Sequence, residues 1–294
     1  MSASMSSSYA PPAAPLLTAV DVHCTVGRSR AGAERLVPRT ELVFVRRGLF
    51  VTHFGSRSIV ADPNQVLAVD GGSAVRFSHP TDDGDRYTGI ELSPGLAREL
   101  LAAYQPALQD RVRTPFPTTH LPVTPEIHFD LQRLRRSMRR AEPDVLHHDE
   151  RALRLAERVV AIGYRVAGRF RAPREEPRPA RRELAERVRQ VLAEHPAAST
   201  SLAELAARVG ASPFHLARTF RRETGLPIHR YRLRLRLALA LDRIAEGESN
   251  LSLLGFELGF SSHSHFTRQF RAVYGQPPAR LRELLARDSA QPVA

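Results

Sequence analysis

The feature that most constrains this chain is an internal repeat. His215-Leu216-Ala217-Arg218-Thr219-Phe220-Arg221, followed by Gly225-Leu226-Pro227, recurs as His265-Phe266-Thr267-Arg268-Gln269-Phe270-Arg271, followed by Gly275-Gln276-Pro277, at an offset of 50 residues throughout. Agreement in both residue type and spacing means that the rear of the chain is built from two copies of one supersecondary unit.

Each copy carries its own punctuation. In the first, Ser201-Leu202-Ala203-Glu204 reads as a capping box, in which the serine accepts from the third backbone N–H and the glutamate reaches back. The helix that starts there turns Leu202, Leu205, Ala206 and Val209 inward and stops at Gly210, which can take the left-handed conformation. Ser212 then caps a second helix with Pro213 in its first turn, and that helix ends at Gly225. Two short helices around a Gly-containing turn predict a helix-turn-helix. The second copy predicts the same: a helix from about Leu251 to Leu258, a break at Gly259, a cap at Ser261 or Ser262, and a helix to Tyr274 before Gly275, with a turn one residue longer. Between the copies, Pro227 to Ala245 forms one continuous helical pattern closed by Gly247. Its length of about 28 Å approaches the ~34 Å of one DNA turn, so it could hold both second helices against successive major-groove segments.

The second helix of each unit has two faces. Leu216 and Phe220, and likewise Phe266 and Phe270, stand four apart and are expected in the core. Phe214, Ala217, Arg218 and Arg221 share the other face; their counterparts are Ser264, Thr267, Arg268 and Arg271, with His263 just before. Arginine beside small polar groups suits base edges in a major groove, whereas a solvated polar face is the plainer reading. Charge favours the first. All 43 basic residues are arginine, residues 1–93 hold 9 Arg against 9 acids, and residues 181–288 hold 18 Arg against 11 acids. A neutral front and a basic rear predict that the rear meets a polyanion, double-stranded DNA.

From about Glu41 to Leu92 the pattern changes to short apolar runs separated by turn signals such as Gly48, Gly55, Asp62-Pro63-Asn64 and Asp70-Gly71-Gly72. ELVFVRR, LFVTHF, QVLAVD, AVRFSH and RYTGIEL are the expected strands of a small antiparallel barrel or sandwich. Helical periodicity follows: Leu100, Leu101, Tyr104 and Leu108 on one helix, Leu131 to Met138 on a second, and about Asp144 to Val166 on a third, whose apolar stripe could serve the barrel or a partner chain. The fold class is therefore α+β: a small N-terminal β-barrel with following helices, then an all-α domain of two helix-turn-helix units and a linker helix. Inside the barrel, alternation nominates Phe44, Arg46, Phe50, Thr52, Phe54, Arg76 and Arg86 as effector candidates, with Phe44, Arg46, Thr52 and Arg76 foremost. Arginine there would suit an anionic small molecule.

These residues resemble the AraC family of bacterial transcription regulators over about Arg181 to Arg287. The most specific stretch is GFSSHSHFTRQFRAVYGQPP, residues 259–278, where Gly259, Phe260, Phe266, Phe270, Gly275 and Pro278 stand where the family signature has them. The resemblance implies base-facing roles for Phe214, Ala217 and Arg218 in the first unit, and for His263, Ser264, Thr267 and Arg268 in the second. Two positions depart from it: Gly255, where a small alanine is usual, and Ala217, which can make only apolar contact. ADPNQVLAVDGG and FSHPTDDGDRYTGIELSP similarly resemble the family's cupin-like sensing domain. The implied organisation is a disordered tail over 1–17, a cupin-like effector-binding and dimerisation domain over 18–168, a Pro- and charge-rich linker over 169–182, and a double helix-turn-helix domain over 183–288. The family also implies RNA polymerase as a partner, homodimerisation, and activation as the commoner outcome.

Competing classes leave weaker traces. Walker A, dinucleotide-turn, HExxH and GxSxG signatures are absent from the sequence, which weighs against the enzymes they mark. A cupin-type metal enzyme would resemble its kind in an HxH pair, but residues 41–92 hold only His53 and His79, read as ordinary barrel or rim residues. In His147-His148-Asp149-Glu150 neighbouring side chains diverge by about 100° on a helix, so a polar helix start is expected rather than a ligand set. The single cysteine, Cys24, excludes an internal disulfide and a zinc finger and is read as a bystander. No cofactor and no metal set is expected. A nonspecific architectural DNA binder remains the other alternative. No apolar run approaches the ~20 residues of a membrane span, and the start of the chain lacks a secretory pattern, so a soluble cytoplasmic protein is expected.

Overall fold

The computed structural model describes residues 15–102, 104, 116, 119–139, 145–169 and 179–290. The front half carries strands β1 (Leu17–Cys24), β2 (Arg35–Leu36), β3 (Thr40–Arg47), β4 (Phe50–Phe54), β5 (Arg57–Ala61), β6 (Gln65–Val69), β7 (Ala74–Ser78) and β8 (Asp85–Leu92). Helix α1 (Pro94–Ala102), strand β9 (His120–Pro122), and helices α2 (Pro125–Met138) and α3 (Val145–Arg169) follow. The rear half is helical: α4 (Pro179–Glu194), α5 (Leu202–Arg208), α6 (Pro213–Thr224), α7 (Ile228–Ala245), α8 (Leu251–Glu257), α9 (His263–Tyr274) and α10 (Pro278–Ala290). The fold is α+β, as the sequence predicts.

The strands form two antiparallel sheets, ordered β1-β8-β3-β6-β9 and β2-β7-β4-β5. Between them lies an apolar layer drawn from both, including Val43, Val45, Phe50, Ile59, Leu67, Val69 and Val75. Because side chains alternate along a strand, the neighbours of those residues face outward. Leu42, Phe44, Val66, Ala68 and Ile90 pack instead against α1, α2 and α3, meeting Ile127, Leu131, Leu134, Leu155 and Val159. The inner stripe of α3 is thus used within the chain, while Leu146 stays 71% exposed. The proposed tail lies outside the described residues except for 15–17. The same holds for 170–178 of the proposed linker and for Leu108, while Arg169 closes α3 and 179–182 open α4.

Helix α7 organises the rear half. Its first part, through Tyr231 and Leu235, packs with α4, α5 and α6 around Val188, Leu205, Leu216 and Phe220. Its second part, through Leu237, Ala240, Leu241 and Ile244, packs with α8, α9 and α10 around Leu254, Phe266, Phe270 and Leu281. One helix therefore supplies both repeat copies with a core wall, which is why its leucines surround it rather than form one stripe. Its arginines are structural too: Arg232 donates to the carbonyls of Ala198 and Thr200, and Arg236 to those of Pro196, Ala197 and Gly259.

The remaining face of α7 docks on the front half through two buried polar clusters. At one end the Tyr231 hydroxyl donates to Asp62 Oδ2 at 2.6 Å, and Asn64 donates to the Tyr231 carbonyl at 2.9 Å. Burial pushes the Asp62 carboxyl up to about 6, opposed by the Tyr231 hydrogen bond and by nearby Arg189. At the other end Asp242 accepts from Arg135 at 2.9 Å and from Arg46 at 3.3 Å. Asp21 and Glu246 complete that cluster beside Arg86 and Arg139. Nearby, His128 of α2 lies between the Pro63 carbonyl and the Tyr274 hydroxyl, 3.4 and 3.1 Å away, and burial holds its imidazole down to about 4.

Candidate nucleic-acid interface

The two repeat copies fold as the capping signals require. Ser201 and Glu204 form the capping box, Ser212 accepts from the His215 amide, and Gly225 ends α6 with φ 74°. In the second copy Asn250 accepts from the Leu253 amide, Ser262 rather than Ser261 caps α9 through the His265 amide, and Gly275 ends the helix with φ 74°. The breaks at Gly210 and Gly259 have φ 66° and 77°. At Gly259 a β-carbon would come within 2.5 Å of the Ala197 carbonyl oxygen, so the turn into α9 fits only glycine.

These constraints fix the rotation of α6 and α9. Leu216, Phe220, Phe266 and Phe270 are each 0% exposed. Thr219 is also buried, which leaves a narrower open face on α6. On that open face Phe214, Arg218 and Arg221 are exposed and Ala217 half-buried; on α9, His263, Ser264, Arg268 and Arg271 are exposed and Thr267 half-buried. Phe214 is 77% exposed, an unusual position for an aromatic ring in a water-facing helix. Among the described residues Arg218, Arg221, Arg268 and Arg271 take no part in an ion pair, in contrast with Arg189, Arg232, Arg236 and Arg243, which are held by carboxylates or carbonyls. His263 is oriented by its neighbours, Nδ1 lying 3.3 Å from Ser252 Oγ and Nε2 3.4 Å from Thr267 Oγ1. His265 instead packs its ring edge-on against Phe260. All the residues nominated for base contact thus fall on the open faces of the two matched helices.

The barrel candidates do not converge in the same way. Phe44 belongs to the outer layer covered by helices, and Arg46 to the ion cluster under α7. Arg76 also points away from the inter-sheet layer, reaching the Gly55 carbonyl, and Arg86 pairs with Glu246. The physical reason is register: Leu42, Phe44 and Arg46 share one face of β3, while Val43 and Val45 share the other. Thr52 does face inward between Phe50 and Phe54, fully buried, with no hydrogen-bond partner for its hydroxyl among the described residues. His147 and His148 find different neighbours, Arg151 and Ser137, rather than a common ligand.

The Arg46–Asp242 and Tyr231–Asp62 contacts were invisible to periodicity, because the partners lie 196 and 169 positions apart. A buried Asp at Asp242, on an otherwise apolar stretch of helix, was the only local signal of them.

Sequence comparison with known proteins also finds a helix-turn-helix here. A helix-turn-helix domain family matches residues 205–284. The transcriptional activator RhrA of Rhizobium meliloti is 39% identical over 117 residues, 39% of this chain and 36% of RhrA. The multiple antibiotic resistance protein MarA of Escherichia coli is 29% identical over 82 residues, 28% of this chain and 65% of MarA. The chain thus spans about a third of the length of RhrA and just under two thirds of MarA. The crystal structure of ToxT from Vibrio cholerae O395 aligns with 92% of this chain and 98% of its own at 10% identity, with a TM-score of 0.36. No described helix is long and apolar enough to cross a membrane.

Proposed function

From the AraC-type helix-turn-helix domain that residues 205–284 form, we propose that this chain is a sequence-specific DNA-binding transcription regulator that reads two successive major-groove segments with α6 and α9. The observation that carries the reading is the pairing itself. Two helices, held by one strut, each keep their apolar face at zero exposure and turn unpaired arginines outward. A helix of this kind can reach base edges with Arg and Thr while basic residues around it meet phosphate.

Phe214, Ala217, Arg218 and Arg221 form the first reading face and His263, Ser264, Thr267, Arg268 and Arg271 the second. The front part, residues 18–168, is the sensing and dimerisation domain, and 183–288 the DNA-binding domain. A small effector, a second copy of the chain, RNA polymerase and activation of transcription belong to this proposal by family likeness. So do a cytoplasmic location and the lack of catalytic activity.

The test is selection of bound fragments from a genomic DNA pool by the full chain at physiological salt, repeated with Arg268→Ala. The expected result is a motif of two elements about one helical turn apart. Arg268→Ala should then lose about 1–3 kcal/mol on that site and relax preference at one position. Equal losses on specific and random DNA would refute base reading by Arg268.

A further inference from the structure

We propose that Cys24, His79 and Asp85 form a binding site for one divalent transition-metal ion of the zinc class. Sequence order separates the three residues, and the fold assembles them at one end of the front half. Cys24 closes β1 and Asp85 opens β8, where the two are register partners. His79 follows β7 and is fixed by a two-way backbone bridge to Ser29, at 2.8 and 3.2 Å. Gly84 makes the approach feasible: its φ is +67°, and a β-carbon there would lie 2.2 Å from the Cys24 carbonyl oxygen.

The donor atoms have the separations of a coordination sphere. One ligand atom from each residue lies within 4.8 Å of the others. Cys24 Sγ is 3.5 Å from His79 Nε2, and His79 Nε2 is 3.4 Å from Asp85 Oδ2. Tetrahedral zinc with ordinary bond lengths separates sulfur from nitrogen by about 3.5 Å and nitrogen from oxygen by about 3.4 Å.

The burial of Asp85 asks for a cation at this point. Its side chain is 1% exposed, and what it meets is the other two members of the set, His79 Nε2 at 3.4 Å from Oδ2 and the Cys24 thiol. A carboxylate buried in that state is costly unless something positive meets it. A nucleophilic relay does not explain the arrangement, because there the carboxylate would hold the imidazole nitrogen opposite the thiol. Here Cys24 and Asp85 converge on the same nitrogen, and Nδ1 lies 3.2 Å from Ser29 Oγ. That hydroxyl would set the tautomer that leaves Nε2 free to ligate, the usual outer-shell arrangement of a metal-bound histidine.

The chemistry of the set selects the ion. A thiolate and a carboxylate supply two negative charges and a neutral imidazole none, so a dication makes the site neutral. One sulfur, one nitrogen and one oxygen favour zinc, cobalt or copper over the hard ions calcium and magnesium. Three protein ligands leave one tetrahedral position open, and Cys24 and His79 are each partly exposed. The inference goes beyond the DNA-binding reading and does not depend on it.

The experiment is titration of the reduced, chelator-treated full chain with Co²⁺, followed by Zn²⁺ competition. Cys24 is the single cysteine of the sequence, so a sulfur-to-cobalt charge-transfer band reports this site alone, whatever surface histidines do. The expected result is that band with the visible spectrum of four-coordinate cobalt, saturating at one equivalent and displaced by Zn²⁺. Cys24→Ser should abolish the band, Asp85→Asn should weaken binding at least 100-fold, and Ser29→Ala about 10- to 100-fold. The proposal is overturned if the wild-type chain gives no charge-transfer band, or if Asp85→Asn leaves the affinity unchanged. The wild-type titration decides even where a variant fails to fold.

Discussion

Replacing Asp242 with alanine tests how the two halves of the chain are held together. Its carboxylate, 3% exposed, faces the guanidinium groups of Arg135 and Arg46, which are 2% and 4% exposed. The cluster sets Arg46, Arg86, Arg135 and Arg139 against Asp21, Asp242 and Glu246. Removing Asp242 leaves four cations with two acids, and two of the cations have no route to water. Loss of one member of a buried pair costs about 3–5 kcal/mol. Asp21 lies 2.9 Å from Arg46 and 3.5 Å from Arg135, and Glu246 lies 3.5 and 3.2 Å from them, so each arginine keeps both remaining acids. The loss is therefore expected at the lower end, about 3 kcal/mol. Urea unfolding of the full chain followed by far-ultraviolet circular dichroism measures it as a lower midpoint. Glu248→Ala is the control: Arg243 keeps Glu257 and is 27% exposed, so that change should shift the midpoint far less. An Asp242→Ala loss no larger than the control's would refute the account of a cluster whose members depend on one another.

Three further outcomes follow from the packing. The His128 imidazole, ordinarily near 6.5, is held down to about 4 by burial, with Arg234 adding repulsion. Stability from this group is thus complete above pH 6.5 and is lost as pH falls through the interval to 4, by about 3 kcal/mol in all. His128→Gln should flatten that part of the stability–pH curve, and an unchanged slope would count against it. Gly255→Ala gains about 1 kcal/mol of helix preference, but its methyl would meet Phe266 at 3.1–3.3 Å. Phe266 is itself enclosed by Phe260 and Phe270, so overpacking should outweigh the gain and lower the thermal midpoint; a rise would show that the ring can yield. Phe220→Ala and Phe270→Ala, at matching places in the two copies, should each cost about 3–5 kcal/mol in denaturant titrations; a loss under 1 kcal/mol in either would mean that its copy is not packed as described.

The rear half was legible because its signals are local. A cap and the amide it serves lie three residues apart, and the glycine that ends a helix follows it directly, so Ser212, Gly225 and Gly275, and a second cap at Ser261 or Ser262, can be read without knowing what surrounds them. In the front half, strands β3, β4, β6, β7 and β8 follow from short apolar runs set between turn signals. By contrast β2 and β9 have only two and three residues, too few to show a period, and Pro122 ends the last, while β5, RSIVA, is exposed over its first two residues and buried over its last three rather than alternating. The first strand, LTAVDVHC, buries only Leu17 fully, so neither of its faces carries a clear apolar pattern. Alternation also says which residues share a face without saying which face is inside. Phe44 and Arg46 were therefore nominated for an interior that Val43 and Val45 occupy. The Cys24–His79–Asp85 grouping needs strand register and an isolated backbone bridge between Ser29 and His79, and neither leaves a local trace.

Helix α7 walls two cores and carries the ion cluster, so its central turns are held from more than one side. Its central amides should exchange with solvent only through complete unfolding of the chain, whereas the shorter α5 and α8 should open by themselves. If the chain reads DNA as proposed above, such a spine has little local give with which to absorb an imperfect binding sequence. Mismatches at either element would then be charged in full to affinity, and discrimination between binding sequences would come from stiffness in the protein as well as from the contacts it makes.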